Sequence, residues 1–140
     1  MRHWAKVYDS NFISIRIFNA YGLRSRTSGN YGAVFGIFLT QKLNNKPLTI
    51  VGDGTQKRDF IHVTDVANAF YLAAISKTKN QIINIGSGKS QSINNIAKFF
   101  GGKTVKIPKR PGEPDITQAN IKRALLLLKW KPKINFQSGI

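Results

Sequence analysis

Val51-Gly52-Asp53-Gly54-Thr55-Gln56-Lys57-Arg58-Asp59-Phe60-Ile61-His62-Val63 decides how this chain is read. A short apolar run, Leu48 to Val51, enters a turn punctuated by Gly52 and Gly54, and a polar loop then carries adjacent Lys57 and Arg58. A second apolar run ends at Thr64-Asp65, where either residue is able to cap a helix. Two extended segments joined by a glycine turn, with a cation at the exit, suit an anion held in one orientation. Arg58 is the candidate, because a planar guanidinium makes paired hydrogen bonds to phosphate or carboxylate. The same residues also describe a surface hairpin with a solvated Lys-Arg pair, and composition alone leaves both readings standing.

Working outward, the 140 residues are the usual size of one domain, and 41% hydrophobic content places the chain among globular proteins. There is no cysteine, which excludes disulfides and thiolate chemistry. The first nine residues hold no apolar core of signal-peptide length, and no run approaches the ~20 apolar residues of a membrane span. The expected setting is soluble and cytoplasmic. Net charge is the outlier: 22 Lys and Arg against 6 Asp and Glu give +16. Such an excess attracts polyanions. The cations are scattered, however, mostly as single lysines such as Lys42, Lys46, Lys77, Lys98 and Lys106. A groove-reading segment concentrates them on one face or interleaves them with aromatics. The charge therefore reads as solubility rather than as a nucleic-acid footprint.

In chain order, residues 1–9 suit the end of a helix, with Trp4 and Tyr8 at i and i+4. Phe12 to Phe18 reads as one buried strand with a polar exit at Asn19-Ala20-Tyr21-Gly22. Ala33 to Leu43 suggests a helix buried on more than one side, stopped by Asn44-Asn45-Lys46-Pro47. After the central stretch, Val66, Ala67, Ala69, Phe70, Ala73 and Ala74 form a small-residue helix face that begins near Thr64 or Asp65. Ile82 to Ile85 is a short strand entering Gly86-Ser87-Gly88; Ser92 caps a helix that Gly101 ends; Val105 to Ile107 is a strand. Ile121, Ala124, Leu125 and Leu128 line a last helix before Trp130-Lys131-Pro132.

Several patterns are set aside. Gly86-Ser87-Gly88-Lys89-Ser90 mimics the end of a P-loop, but the first glycine of that motif would fall on Ile83, inside the strand. Gly29, Gly32 and Gly36 lack dinucleotide-fingerprint spacing and a preceding strand. Two histidines and six scattered carboxylates give no metal-ligand spacing, so no metal site is assigned.

Five ordered blocks add up to something more specific. They are Arg16-Ile17-Phe18-Asn19-Ala20-Tyr21-Gly22; Gly52-Asp53-Gly54 with Arg58-Asp59-Phe60-Ile61-His62-Val63 and Asp65-Val66-Ala67; Asn84-Ile85-Gly86-Ser87-Gly88 with Ser92-Ile93; Arg110-Pro111-Gly112-Glu113; and Trp130-Lys131-Pro132. Together they resemble the C-terminal half of extended short-chain dehydrogenases/reductases acting on nucleotide sugars, the group of UDP-glucose 4-epimerases and dTDP-glucose 4,6-dehydratases. The resemblance implies an α/β fold: the last strands of a Rossmann-type parallel sheet plus the small α/β substrate-binding lobe. Residues 1–30 would end the NAD-binding domain and 31–140 would bind the sugar nucleotide, with 64–88 packing back on the Rossmann sheet.

It also implies roles. Phe18 matches the position beside the nicotinamide of NAD, and Asn19 one contacting the sugar nucleotide. Ala33 and Val34 match a segment along the bound nucleotide. Thr49, Ile50 and Val51 match a stretch that holds the base through backbone groups and an apolar wall. Arg58 and Arg110 match two arginines on the pyrophosphate, and Glu113 an acid reaching the ribose. The implied partners are a UDP-sugar or other nucleotide sugar, the N-terminal half of the enzyme, and a second copy in a homodimer, without membrane or nucleic acid. No catalytic residue is assigned. The family's Tyr-x-x-x-Lys pair is not present, since Phe12, Ser25, Phe35 and Ile75 lie four residues after the four tyrosines, and the Gly-rich cofactor loop is not present either. The chain therefore reads as a fragment that does not catalyse alone, and its apolar sheet edge is expected to make it poorly folded or self-associating.

Overall fold

β-branched alternation makes Ile13–Ile17 the first strand (β1) of the computed structural model, which describes residues 2–25 and 34–140. Before it comes a short helix, α1 (Arg2–Val7), whose Trp4 stacks on Tyr8 with ring centroids 5.1 Å apart. The sequence suggests one strand through Phe18, but the backbone divides there. Asn19–Tyr21 is a separate strand, β2, that joins a different sheet. The elements that follow are α2 (Val34–Leu43), β3 (Leu48–Val51), β4 (Lys57–His62), α3 (Val63–Ile75) and β5 (Gln81–Ile85). The chain then runs through β6 (Ser90–Ser92), α4 (Ile93–Phe100), β7 (Thr104–Ile107) and α5 (Lys122–Leu128).

The fold is mixed α/β with mostly parallel pairing. β1 pairs parallel with β5 in the register Ile13↔Gln81 to Ile17↔Ile85. β3 pairs parallel with β7, Leu48↔Thr104 to Val51↔Ile107. β4 is central to a three-stranded sheet, parallel to β2 and antiparallel to β6. The hairpin reading of the central stretch is thereby corrected: β3 and β4 lie in different sheets, β3 beside β7 and β4 between β2 and β6, and the loop of residues 52–56 carries the chain from one to the other.

β4 stands between two cores. Phe60 packs with Tyr21, Phe35, Phe38, Leu48, Ile50 and Ile96, whereas the next residue, Ile61, packs with Val66, Ala69, Ile83, Ile85, Leu128 and Trp130. Opposite-facing neighbours on one strand thus reach both clusters, as the two-residue period requires. Ile13 and Ile15 pack on the second cluster, so β1, α3, β5 and α5 share it.

Local chemistry sets the helix ends. α3 starts one residue before the expected cap: His62 is its N-cap, with Nδ1 accepting from the Thr64 N–H at 3.4 Å and lying 2.8 Å from the Thr64 hydroxyl. Ser92 caps α4 by accepting from the Asn95 N–H, and Gly101, at φ 65°, ends it. Four expected core positions are corrected: Ala67, Phe70, Ala74 and Leu125 face solvent, since a helix on one side of a thin sheet buries only a narrow stripe. Of its expected face α3 buries Val66 and Ala69, and it buries Asp65 with them. Leu39 and Leu43 are likewise exposed at the outer face of α2.

Candidate functional site

β4 opens with Lys57, and the backbone of that residue fastens the loop after β7. Its N–H donates to the Asp115 carbonyl (2.7 Å), and its carbonyl accepts from the Thr117 N–H (3.0 Å). Gly112, at φ 73°, lets the loop turn between prolines; a side chain there would be strained. With both segments fixed, Arg58 and Glu113, 55 residues apart in sequence, meet. Arg58 Nη2 donates to Glu113 Oε1 at 2.7 Å, and Nη1 donates to the Lys57 carbonyl at 2.9 Å. The two side chains are 12% and 27% exposed, so the pair is partly desolvated yet open to solvent on one side. Arg110 stands exposed at the other end of the turn, its carbonyl accepting from the Glu113 N–H at 3.4 Å.

Beside this pair is a cleft of about 410 Å³ whose lining includes Val51, Gly52, Gln56, Lys109, Glu113 and Pro114. Thr49 and Val51 are half-buried, while Ile50 points into the first core. Around the rim, Asp53 is held below the usual carboxylate range, first by the Thr55 N–H and then by the Thr55 hydroxyl. Lys109 donates to Asp115 at 2.8 Å; that bond and the paired charges raise the lysine and lower the acid. A larger cleft of about 670 Å³, with Phe60, Lys89, Lys98, Phe99, Lys133 and Phe136 among its lining residues, holds none of the residues that the resemblance sets against substrate or cofactor.

The other sequence-derived residues fall nearby or apart. Phe18 sits half-buried at the carboxyl end of β1, its N–H on the Ile85 carbonyl at 2.9 Å. In parallel sheets that end is where ligands bind. Asn19 donates its amide to the Asp59 carbonyl at 2.9 Å, holding β2 against β4. Val34 opens α2 and packs against the first core. Ala33 lies outside the described residues.

Asp59 shows why the glycine turn after β5 is no phosphate loop. It is fully buried, and its Oδ1 accepts from the N–H and hydroxyl of Ser87, both at 2.7 Å. Its Oδ2 accepts from the N–H groups of Gly88 and Ala119, both at 2.9 Å. The donors that would cradle an anion are already satisfied by an internal one. A Cβ on Gly86 would lie 2.5 Å from that of Ala119, so only glycine fits. That turn thus makes no dinucleotide cradle, and Phe18 is the position that the resemblance sets against NAD. Among the described residues, no group of three His, Asp or Glu could hold a metal ion, and no helix is long and apolar enough to cross a membrane.

Sequence reasoning named Asp59 only as part of a block and did not single out Gln41. The available signal for Asp59 was an acid inside an apolar strand. Gln41 gave none, because its partner lies beyond the turn: its Nε2 donates to Thr49 Oγ1 (2.8 Å) and its Oε1 accepts from the Thr49 N–H (3.1 Å).

Comparison with known proteins follows the same lines. The NAD dependent epimerase/dehydratase family model matches residues 1–86. A dTDP-4-dehydro-6-deoxyglucose reductase of Escherichia coli is 34% identical over 149 residues, covering 100% of this chain and 46% of its own length. The crystal structure of a UDP-glucose 4-epimerase from Thermotoga maritima with UDP-glucose is similar at a TM-score of 0.91 and 30% identity, over 99% of this chain and 46% of that one. A Bacillus cereus UDP-glucuronic acid 4-epimerase, solved in complex with UDP-glucuronic acid and NAD, is similar at 0.85 and 33% identity, over 99% and 45%. The chain thus spans somewhat less than half the length of these relatives.

Proposed function

This chain belongs to the NAD dependent epimerase/dehydratase family, and on that basis we propose that it forms the sugar-nucleotide-binding half of a UDP-glucose 4-epimerase-like enzyme. The observation that carries the reading is the 2.7 Å Arg58–Glu113 pair beside the cleft bordered by Val51. A nucleoside diphosphate presents a base, a diol and a doubly charged linker. β3 offers backbone groups and the Val51 side chain to the base. Arg58, with N–H donors beyond those given to Glu113 and Lys57, reaches the diphosphate, and exposed Arg110 closes on it from the loop. Once a phosphate shares Arg58, Glu113 is free to accept from the ribose. Each charge-assisted bond of this kind contributes roughly 1.5–3 kcal/mol.

The remaining roles are positional. Asn19 meets the sugar nucleotide, Ala33 and Val34 run along it, and Phe18 flanks the nicotinamide ring of NAD, the group that supplies redox chemistry in the whole enzyme. These 140 residues bind and orient substrate. Without a Tyr-x-x-x-Lys pair they are not proposed to catalyse by themselves. The proposed partners are the cofactor-binding half of the enzyme and, in the assembled protein, a second copy.

Calorimetric titration with UDP-glucose at moderate salt tests the site. Saturable binding that weakens at least tenfold in Arg58→Ala, with the fold retained, supports it; equal binding by both proteins refutes it. Duplex DNA serves as a parallel ligand. Affinity for DNA alone, collapsing with added salt, would instead favour a charge-driven module, which the +16 balance motivates. A second enzyme reading, a dTDP-glucose 4,6-dehydratase or a UDP-glucuronate decarboxylase, takes support from the 34% identity to a dTDP-sugar reductase and the 30% identity to a UDP-glucuronic acid decarboxylase of Xenopus tropicalis. In the same titration, preference for dTDP-glucose over UDP-glucose selects the dehydratase, and preference for UDP-glucuronate selects the decarboxylase.

A further inference from the structure

The proposed base site depends on which backbone groups β3 leaves available. β3 pairs with β7 along one edge only, and that edge uses the N–H groups of Leu48 (to the Lys103 carbonyl, 2.8 Å) and Gly52 (to the Ile107 carbonyl, 2.8 Å). In a strand the N–H and C=O of one residue point to the same side, and the next residue's point to the other. Those of Thr49 and Val51 therefore face away from β7, toward an edge that pairs with no other strand among the described residues. That edge carries two donors and two acceptors. Two of the four are taken by side chains: Gln41 Oε1 accepts from the Thr49 N–H at 3.1 Å, and Gln56 Nε2 donates to the Val51 carbonyl at 2.8 Å. The second amide atom of Gln41 also holds the Thr49 hydroxyl at 2.8 Å.

We infer that Gln41 and Gln56 are positioning residues that cap the outer groups of this edge and leave the Thr49 carbonyl and the Val51 N–H as one acceptor and one donor for a pyrimidine. This rests on the proposed base site and deepens it. A pyrimidine imide carries one N–H between two carbonyl oxygens; the Thr49 carbonyl accepts from that N–H, and the Val51 N–H donates to one of the oxygens. Without the caps, the edge would present two carbonyls to an imide with a single N–H, and the unmatched carbonyl would lose water on binding for no return. Gln41 also fixes the strand laterally, since both of its amide atoms bind one residue. Gln56 lies on the cleft wall beside Glu113, so base and ribose contacts are set from one short segment.

The test uses the 140-residue chain with UDP and with inorganic pyrophosphate as probes, in calorimetry, with a thermal melt confirming each variant's fold. Gln41→Met removes both bonds, while Gln41→Glu keeps an acceptor for the Thr49 N–H and a second oxygen for its hydroxyl. The expected result is that Gln41→Met weakens UDP about tenfold, the scale of one well-made hydrogen bond. Pyrophosphate binding stays unchanged, and Gln41→Glu restores most of the loss for UDP. Gln56→Met is expected to act in the same direction. Arg58→Ala, by contrast, weakens both probes. UDP binding unchanged in a folded Gln41→Met, or lost equally for UDP and pyrophosphate, overturns the inference while leaving the site standing. Absence of UDP binding by the unsubstituted chain overturns the site and the inference with it.

Discussion

Replacing Asp59 by alanine tests the anion-in-turn account most directly. The carboxylate receives four hydrogen bonds, three of them from backbone N–H groups of Ser87, Gly88 and Ala119, and it is fully buried. Alanine removes every acceptor at once and leaves those donors in a pocket shaped for an oxygen. An unsatisfied buried group costs about 1–3 kcal/mol. Ser87 and Gly88 are half-buried and recover part of that through water, whereas Ala119 is buried. The sum is about 4 kcal/mol, a large fraction of the 5–15 kcal/mol typical of a domain. At this chain length that lowers Tm by on the order of 15 °C. Asp59→Asn keeps one acceptor oxygen but sets an NH2 group against two N–H donors, so it should cost about 2–3 kcal/mol. Urea unfolding followed by circular dichroism gives both values. A loss below about 1 kcal/mol for Asp59→Ala, or an asparagine variant as stable as the parent, would refute the account.

Further outcomes follow from particular residues. The Tyr21 hydroxyl is buried with no hydrogen-bond partner among the described residues, so Tyr21→Phe should be neutral or stabilising by up to about 1 kcal/mol in the same unfolding assay. Burial, and then the Asp65 charge, raise the Tyr21 pKa; folding therefore favours the protonated phenol, and the parent loses stability as pH rises from about 10 through the folded-state value while Tyr21→Phe lacks that loss. Asp65 Oδ2 accepts from the N–H groups of Lys133 and Ile134, and its carbonyl from Trp130 Nε1, all at 3.0 Å; Asp65→Ala should speed tryptic cleavage after Lys129 and Lys133, measured by mass spectrometry. Lys109→Met should return the Asp115 pKa upward toward the ordinary carboxylate value, since the lysine's hydrogen bond and charge lower it, and a carboxyl NMR titration reads the change. Trp4, Tyr8, Phe70 and Tyr71 are more than half exposed, and β1 pairs on one edge only among the described residues, so sedimentation should show mass rising with concentration; a concentration-independent monomeric melt would contradict it.

Much of this molecule was written locally. The β-branched runs of β1, β3, β5 and β7, the Ser92 cap and the Gly101 stop are decided by neighbours within a few residues, and the ordered blocks around Arg58, Arg110 and Glu113 carry the family resemblance in sequence alone. The tertiary structure alone decided which strands meet. It split the run through Phe18 into β1 and β2, put β3 and β4 in different sheets, and turned a solvated-looking Lys-Arg pair into an anchor and a half-buried ion pair. Asp59 and Gln41 belong to that second class. Their partners lie in other elements, 28 and 60 residues away for Asp59 and across the Asn44–Pro47 turn for Gln41. Periodicity and capping report the dihedral preferences of adjacent residues; a carboxylate filling a distant turn, or an amide capping a strand edge, exists only once packing has brought the segments together.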